Sequence, residues 1–140
     1  MNSFIPLAKP NILDKDIELV VEVLKSGMLV QGKYVAELES KFNDLLSVNY
    51  SSALSNGTAT LHLALVALGI KAGDEIIVPA FSYVATANVV ELVGAKPVFV
   101  DIDIATFNID VTKIEAAITS KTKAIIPVHE FGLSCDIETV

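Results

Sequence analysis

Apolar and polar positions change their rhythm near residue 50. Before it, the spacing is helical. Ile17, Val20, Val21 and Leu24 follow Asp14, which reads as an N-cap, and Gly27 is a natural stop. The segment Ser26 to Lys33 reads as a loop with glycines at both ends. A second helix is expected over Tyr34 to Leu46, with Val35, Leu38, Phe42 and Leu45 as its apolar stripe. Both helices read as elements that pack on something larger. Residues 1–13 read as mostly extended, because Pro6 and Pro10 block an early helix.

After residue 50, short continuous apolar runs alternate with helical stretches. A strand is expected over Tyr50–Leu54, then a polar turn, then a helix over Thr58–Leu68 with Leu61, Leu65 and Leu68 on one face. The Gly69–Asp74 turn leads to a strand at Glu75–Pro79. A helix over Tyr83–Val93, ended by Gly94, precedes a strand at Lys96–Asp101. A loop carrying Asp103, Phe107 and Asp110 leads to a helix at Val111–Thr119 and a strand at Lys123–Val128. Continuous apolar strands are those covered on both faces. Strands alternating with helices predict an α/β fold: a mostly parallel sheet with helices on both faces. The division expected is 1–48, an extended segment and two helices, and 49–140, the α/β part.

In such sheets ligands gather at the carboxyl ends of the strands. That rule selects Ser55–Thr60, Pro79–Tyr83, Asp101–Asp103 and His129–Gly132. In the first, Gly57 allows a close approach, and the helix start offers unpartnered N–H groups and a dipole that favours an anion such as phosphate. The plain alternative is a glycine turn before a capped helix, with Asn56 or Thr58 as cap. Tyr83 is either a ring that stacks on a flat ligand or an ordinary core aromatic. Asp101 and Asp103 are expected to cap loop N–H groups, and no His and Cys spacing suggests a metal. His129 is either an acid–base or substrate residue or a hydrogen-bonded structural one. His62 reads as structural and Cys135 as an unreactive thiol.

Composition narrows the function classes. The chain has 140 residues, of which 52% are hydrophobic, so a large buried core is expected and disorder is not. The net charge of −7, with no basic cluster, argues against nucleic acid and anionic membranes as partners. No apolar run reaches the roughly 20 residues of a membrane span, and the start lacks a signal-peptide pattern. With a single cysteine, a reducing, cytoplasmic setting is expected.

Six blocks then carry a resemblance. They are Ile5-Pro6-Leu7-Ala8-Lys9-Pro10, Ser26-Gly27-Met28-Leu29-Val30-Gln31-Gly32, and Ser55-Asn56-Gly57-Thr58-Ala59-Thr60-Leu61-His62-Leu63-Ala64-Leu65. The others run from Gly73 to Asn88, from Pro97 to Asp103, and from Pro127 to Gly132. In this order and at this spacing the chain resembles the N-terminal part of the DegT/StrS-type sugar aminotransferases, pyridoxal-phosphate enzymes of the aspartate-aminotransferase fold. The resemblance implies the cofactor pyridoxal 5'-phosphate. It places the N–H groups of Thr58 and Ala59, next to Gly57, at the cofactor phosphate, and Tyr83 on the pyridine ring. It places Met28 and Leu29 near the substrate side, although the family usually has Trp where Met28 stands, and it leaves His129 as a substrate candidate. It further implies a nucleotide-linked keto sugar and glutamate as substrates, and a homodimer.

The same family is far longer than this chain. Its Schiff-base lysine, and the aspartate that pairs with the pyridine nitrogen, lie in later motifs that this sequence does not contain. The expectation is an N-terminal fragment of such an enzyme, with 49–140 as an incomplete cofactor-binding large domain that is inactive alone. Two alternatives stand beside it. One is a non-catalytic truncated module that retains part of the fold. The other is an unrelated nucleotide- or phosphate-binding α/β domain; the lack of a Gly-x-Gly-x-x-Gly fingerprint weighs against a dinucleotide site.

Overall fold

A computed structural model describes Pro6 and residues 9–140. Most of the expected extended stretch before Pro10 lies outside the described residues. The chain divides into two compact units, one up to Ala53 and one over Leu54–Val140.

The first unit holds α1 (Asp14–Ser26) and α2 (Lys33–Leu46). Asp14 is the first residue of α1 rather than its cap. The cap is Leu13, because Asp16 Oδ2 reaches back to accept the Leu13 N–H at 2.9 Å. Gly27 ends the helix in the left-handed region, φ 71°, where a side chain would be strained. The expected strand at Tyr50–Leu54 does not form. Its polar groups are taken by α2 instead: the Ser51 hydroxyl bonds the Asn43 side chain, and the Ala53 N–H donates to Glu39 Oε1 at 2.9 Å.

The second unit is a parallel α/β sheet. Its order of elements is α3 (Gly57–Ala67), β1 (Glu75–Pro79), α4 (Ala85–Leu92), β2 (Lys96–Val100), a single 3-10 turn at Val111–Lys113 running into α5 (Ile114–Ala117), and β3 (Thr122–Ile125). The strand order is β2-β1-β3, with both pairs parallel. The central strand β1 is buried along its whole length. Alternation splits its side chains between two cores. Ile76 and Val78 pack with Leu65 of α3 and with Val89 and Val90 of α4. Ile77 faces the other way, into Val100, Ile109, Ile114 and Cys135. Helices thus cover both faces, as the sequence predicts for continuous apolar strands. The start of β1 is pinned by Glu75, whose Oε2 accepts from the Thr119 hydroxyl at 2.6 Å.

Candidate functional site

Because the strands are parallel, β1, β2 and β3 end on one edge, at Pro79, Val100 and Ile125. Helix α3 joins the start of β1 through the turn 68–74, and its Leu65 shares a core with Ile76 and Val78 of β1. Asn56 is its cap: the Asn56 Oδ1 accepts the Ala59 N–H at 2.9 Å, and the Thr60 N–H reaches the Asn56 carbonyl at 3.1 Å. The N–H groups of Gly57 and Thr58 have no hydrogen-bond partner among the described residues. Ser55, Asn56, Gly57 and Thr58 are exposed, and a Cβ placed on Gly57 would meet nothing within 4 Å. The turn is therefore open to a ligand and offers two free donors at the positive end of a helix dipole. Of the two expected donors, Thr58 is free and Ala59 is engaged by the cap.

Tyr83 follows β1 and is 78% exposed. A buried position in the core does not describe it. Its carbonyl accepts the Thr86 N–H at 3.0 Å, which places it at the entry to α4.

The carboxylates after β2 are structural. Asp103 Oδ1 accepts from the N–H groups of Ala105 and Thr106, at 2.8 and 3.0 Å. Asp101 accepts the Ile102 N–H at 2.9 Å and lies 3.1 Å from Lys113 Nζ. The Ile102 N–H first, and then the Lys113 ammonium, hold the Asp101 carboxyl below its ordinary range. Among the described residues no cluster of His, Cys, Asp and Glu could hold a metal ion.

After β3, His129 is exposed, and its Nδ1 accepts the Cys135 N–H at 2.9 Å. Cys135 itself is 4% exposed, and burial pushes its thiol pKa up. An unreactive thiol is the physical result.

Three rings that the strand-end rule does not single out meet on this side. Phe81 follows β1, Phe107 lies in the loop after β2, and Phe131 lies in the loop after β3. Their centroids are 5.6 to 6.3 Å apart. Phe107 and Phe131 sit at φ 61° and 52°, a conformation that costs a bulky residue about 1–3 kcal/mol. The loops after β1, β2 and β3 are thereby tied together. Nearby, Glu130 Oε1 is buried and has no hydrogen-bond partner among the described residues.

Met28 and Leu29 belong to the first unit, in the loop between α1 and α2. Each is 64% exposed. Met28 lines a cavity of about 380 Å³ with Val23, Val30 and Tyr34, beside the Lys33–Glu22 ion pair at 2.8 Å.

The arrangement can be set beside known proteins. Residues 10–140 match the model of the DegT/DnrJ/EryC1/StrS aminotransferase family. The chain belongs to this family. A GDP-perosamine synthase from Escherichia coli O157:H7 is 45% identical over 138 residues, which are 98% of this chain and 38% of that protein. A UDP-4-amino-4-deoxy-L-arabinose–oxoglutarate aminotransferase from Shewanella sediminis is 45% identical over 139 residues, 99% of this chain and 36% of that protein. Among solved structures, Spr1654 from Streptococcus pneumoniae, known in its PLP form, superposes with a TM-score of 0.89 at 41% identity. The match covers 96% of this chain and 34% of that one. An aminotransferase from Psychrobacter cryohalolentis superposes with a TM-score of 0.87 at 37% identity, over 96% of this chain and 35% of that one. The chain thus spans just over a third of the length of these curated relatives.

As a DegT/DnrJ/EryC1/StrS member, the chain has a basic complement of one kind. Its 10 basic residues are all lysine. It has no arginine to fork a phosphate or carboxylate. Among the described residues four lysines are ion-paired: Lys33 with Glu22, Lys41 with Glu37, Lys96 with Glu75, and Lys113 with Asp101 and Asp110. Among the described residues no helix is long and apolar enough to cross a membrane.

Proposed function

We propose that this chain supplies the phosphate and ring-stacking side of a pyridoxal-phosphate site in a sugar aminotransferase. The observation that carries the reading is the open start of α3. Gly57 and Thr58 present two N–H donors that no described residue uses, and Tyr83 stands exposed after the carboxyl end of β1. The two free N–H groups and the open space at Gly57 suit a phosphate monoester. The Ala59 N–H joins the set when Asn56 Oδ1 gives way. Tyr83 offers a face to the pyridine ring. When bound, pyridoxal phosphate supplies an electron sink for negative charge at the carbon that carries the amino group.

The whole enzyme, on this reading, moves an amino group from glutamate to a nucleotide-linked keto sugar and works as a homodimer. The names of the curated relatives support the sugar-nucleotide part of that reading. Met28, Leu29 and His129 are assigned to its substrate side. No lysine of this chain is assigned as the covalent anchor, and the 140 residues by themselves bind without turnover.

The test is a titration with pyridoxal phosphate followed by its visible absorbance. The expected result is saturable binding that inorganic phosphate competes away and that Gly57→Pro abolishes, since proline removes one of the two free donors. Binding unaffected by phosphate or by Gly57→Pro overturns the reading.

A further inference from the structure

The loop after β3 is held by a side chain from a different loop. Asn108, in the connection after β2, is 5% exposed. Its Oδ1 accepts the Glu130 N–H at 2.9 Å, and its Nδ2 donates to the carbonyls of Leu133 and Ser134 at 3.1 and 3.2 Å. One planar amide thus bridges both limbs of the segment from His129 to Cys135. The segment needs such a clamp, because Phe131 and Gly132 stand at φ 52° and 85°, and the first is unfavourable for a phenylalanine. The clamp brings the ends of the segment together, and there the Cys135 N–H donates to His129 Nδ1 at 2.9 Å. A neutral imidazole has one protonated nitrogen. With Nδ1 accepting, the proton is on Nε2.

We infer that Asn108 is a positioning residue: by clamping the His129–Cys135 loop it fixes His129 as an Nε2–H donor at the carboxyl end of β3, suited to an acceptor oxygen of a ligand. The ligand part rests on the reading that this edge is the binding side. Only an amide serves at position 108. Aspartate keeps the acceptor for Glu130 but turns a negative oxygen on two carbonyls, and alanine keeps nothing.

The chain has two histidines, His62 and His129, so 15N-histidine labelling with a His129→Gln control assigns both. Long-range 1H–15N spectra are recorded near pH 8, where an ordinary imidazole is neutral. In the unmodified protein His129 shows the pure Nε2–H pattern. In Asn108→Asp and Asn108→Ala it shifts to a mixture of the two tautomers, while His62 stays put. Val89→Ala, which loosens the opposite face of the sheet, leaves His129 unchanged and so separates positioning from general destabilisation. An Nδ1–H or mixed pattern in the unmodified protein, which needs no variant to fold, overturns the inference. So does a pure Nε2–H pattern in folded Asn108→Asp. No cofactor or substrate enters the measurement, so its failure leaves the proposed function standing, and failure of cofactor binding leaves this result standing.

Discussion

Replacing Asn56 with alanine pulls stability and anion affinity in opposite directions. In the free protein Asn56 Oδ1 accepts the Ala59 N–H at 2.9 Å and caps α3. Removing a capping Asn costs about 0.5–2 kcal/mol, typically near 1. That corresponds to roughly 4–8 °C in Tm per 1 kcal/mol for a domain of 60–100 residues. A phosphate that takes the Ala59 N–H displaces Asn56 Oδ1, so the cap is absent from the complex in both forms. The thermodynamic cycle then returns the lost cap energy as binding. With about 1.4 kcal/mol per tenfold, a cap loss of about 1 kcal/mol gives Asn56→Ala roughly fivefold tighter phosphate binding. Thermal scans with and without pyridoxal phosphate, and a calorimetric titration of each form, measure the two arms. The expected result is a lower Tm in the free variant and a gap that closes at saturating ligand. A Tm deficit that is the same with and without ligand, at unchanged Kd, refutes the reasoning. Asn56 would then remain the cap in the complex, and Ala59 would not touch the phosphate.

The other predictions concern the ring, the core and one buried carboxylate. Tyr83→Ala weakens cofactor retention up to about tenfold, the equivalent of an aromatic stacking contribution of about 0.5–1.5 kcal/mol, and Cys135→Ala does not; equal dissociation constants would assign Tyr83 no contact. Ile77, fully buried between the sheet and its second core, loses about 2–5 kcal/mol on replacement by alanine, read from denaturant unfolding. Glu75 is held below its ordinary carboxylate range, first by the Thr119 hydroxyl and then by Lys96 and Lys121 against an opposing cost of burial. A lowered folded-state pKa stabilises above the unfolded value, and that contribution is lost as pH falls through the folded one. Thr119→Val therefore flattens the fall of stability below about pH 5, and an unchanged pH profile would show that the hydroxyl does not set the shift.

Local signals made much of this legible. The run Glu75–Pro79 is five apolar or end residues between turn signals, and it forms β1 at the expected bounds. Asn56 and Gly27 act through their own backbone neighbourhood, and both do what their type favours. The expected strand at Tyr50–Leu54 had the right composition. Strand pairing is non-local, though, and the side chains of Glu39 and Asn43 took its polar groups instead. Asp16, three residues on, decided the cap of α1 at Leu13. The phenylalanine trio and the Asn108 clamp were not readable for the same reason. Each joins loops 22 or more residues apart, and phenylalanine gives no hint that it will accept a left-handed backbone.

The order β2-β1-β3 leaves the two margins of the sheet unequal. On β2 the Lys96 N–H turns inward to the Asp74 carbonyl at 2.9 Å, so alternation points the nitrogen of Pro97 outward, and that nitrogen has no hydrogen. This margin is blunted, in the manner of edges that resist pairing. On β3 the Ile126 N–H turns inward to the Ile77 carbonyl at 2.9 Å, so the N–H of Ile125 faces out, with no proline in the strand. The two margins therefore offer a further strand different things: beside β3 an outward N–H at Ile125, past a shift of register at Lys123, and beside β2 a proline nitrogen with nothing to donate.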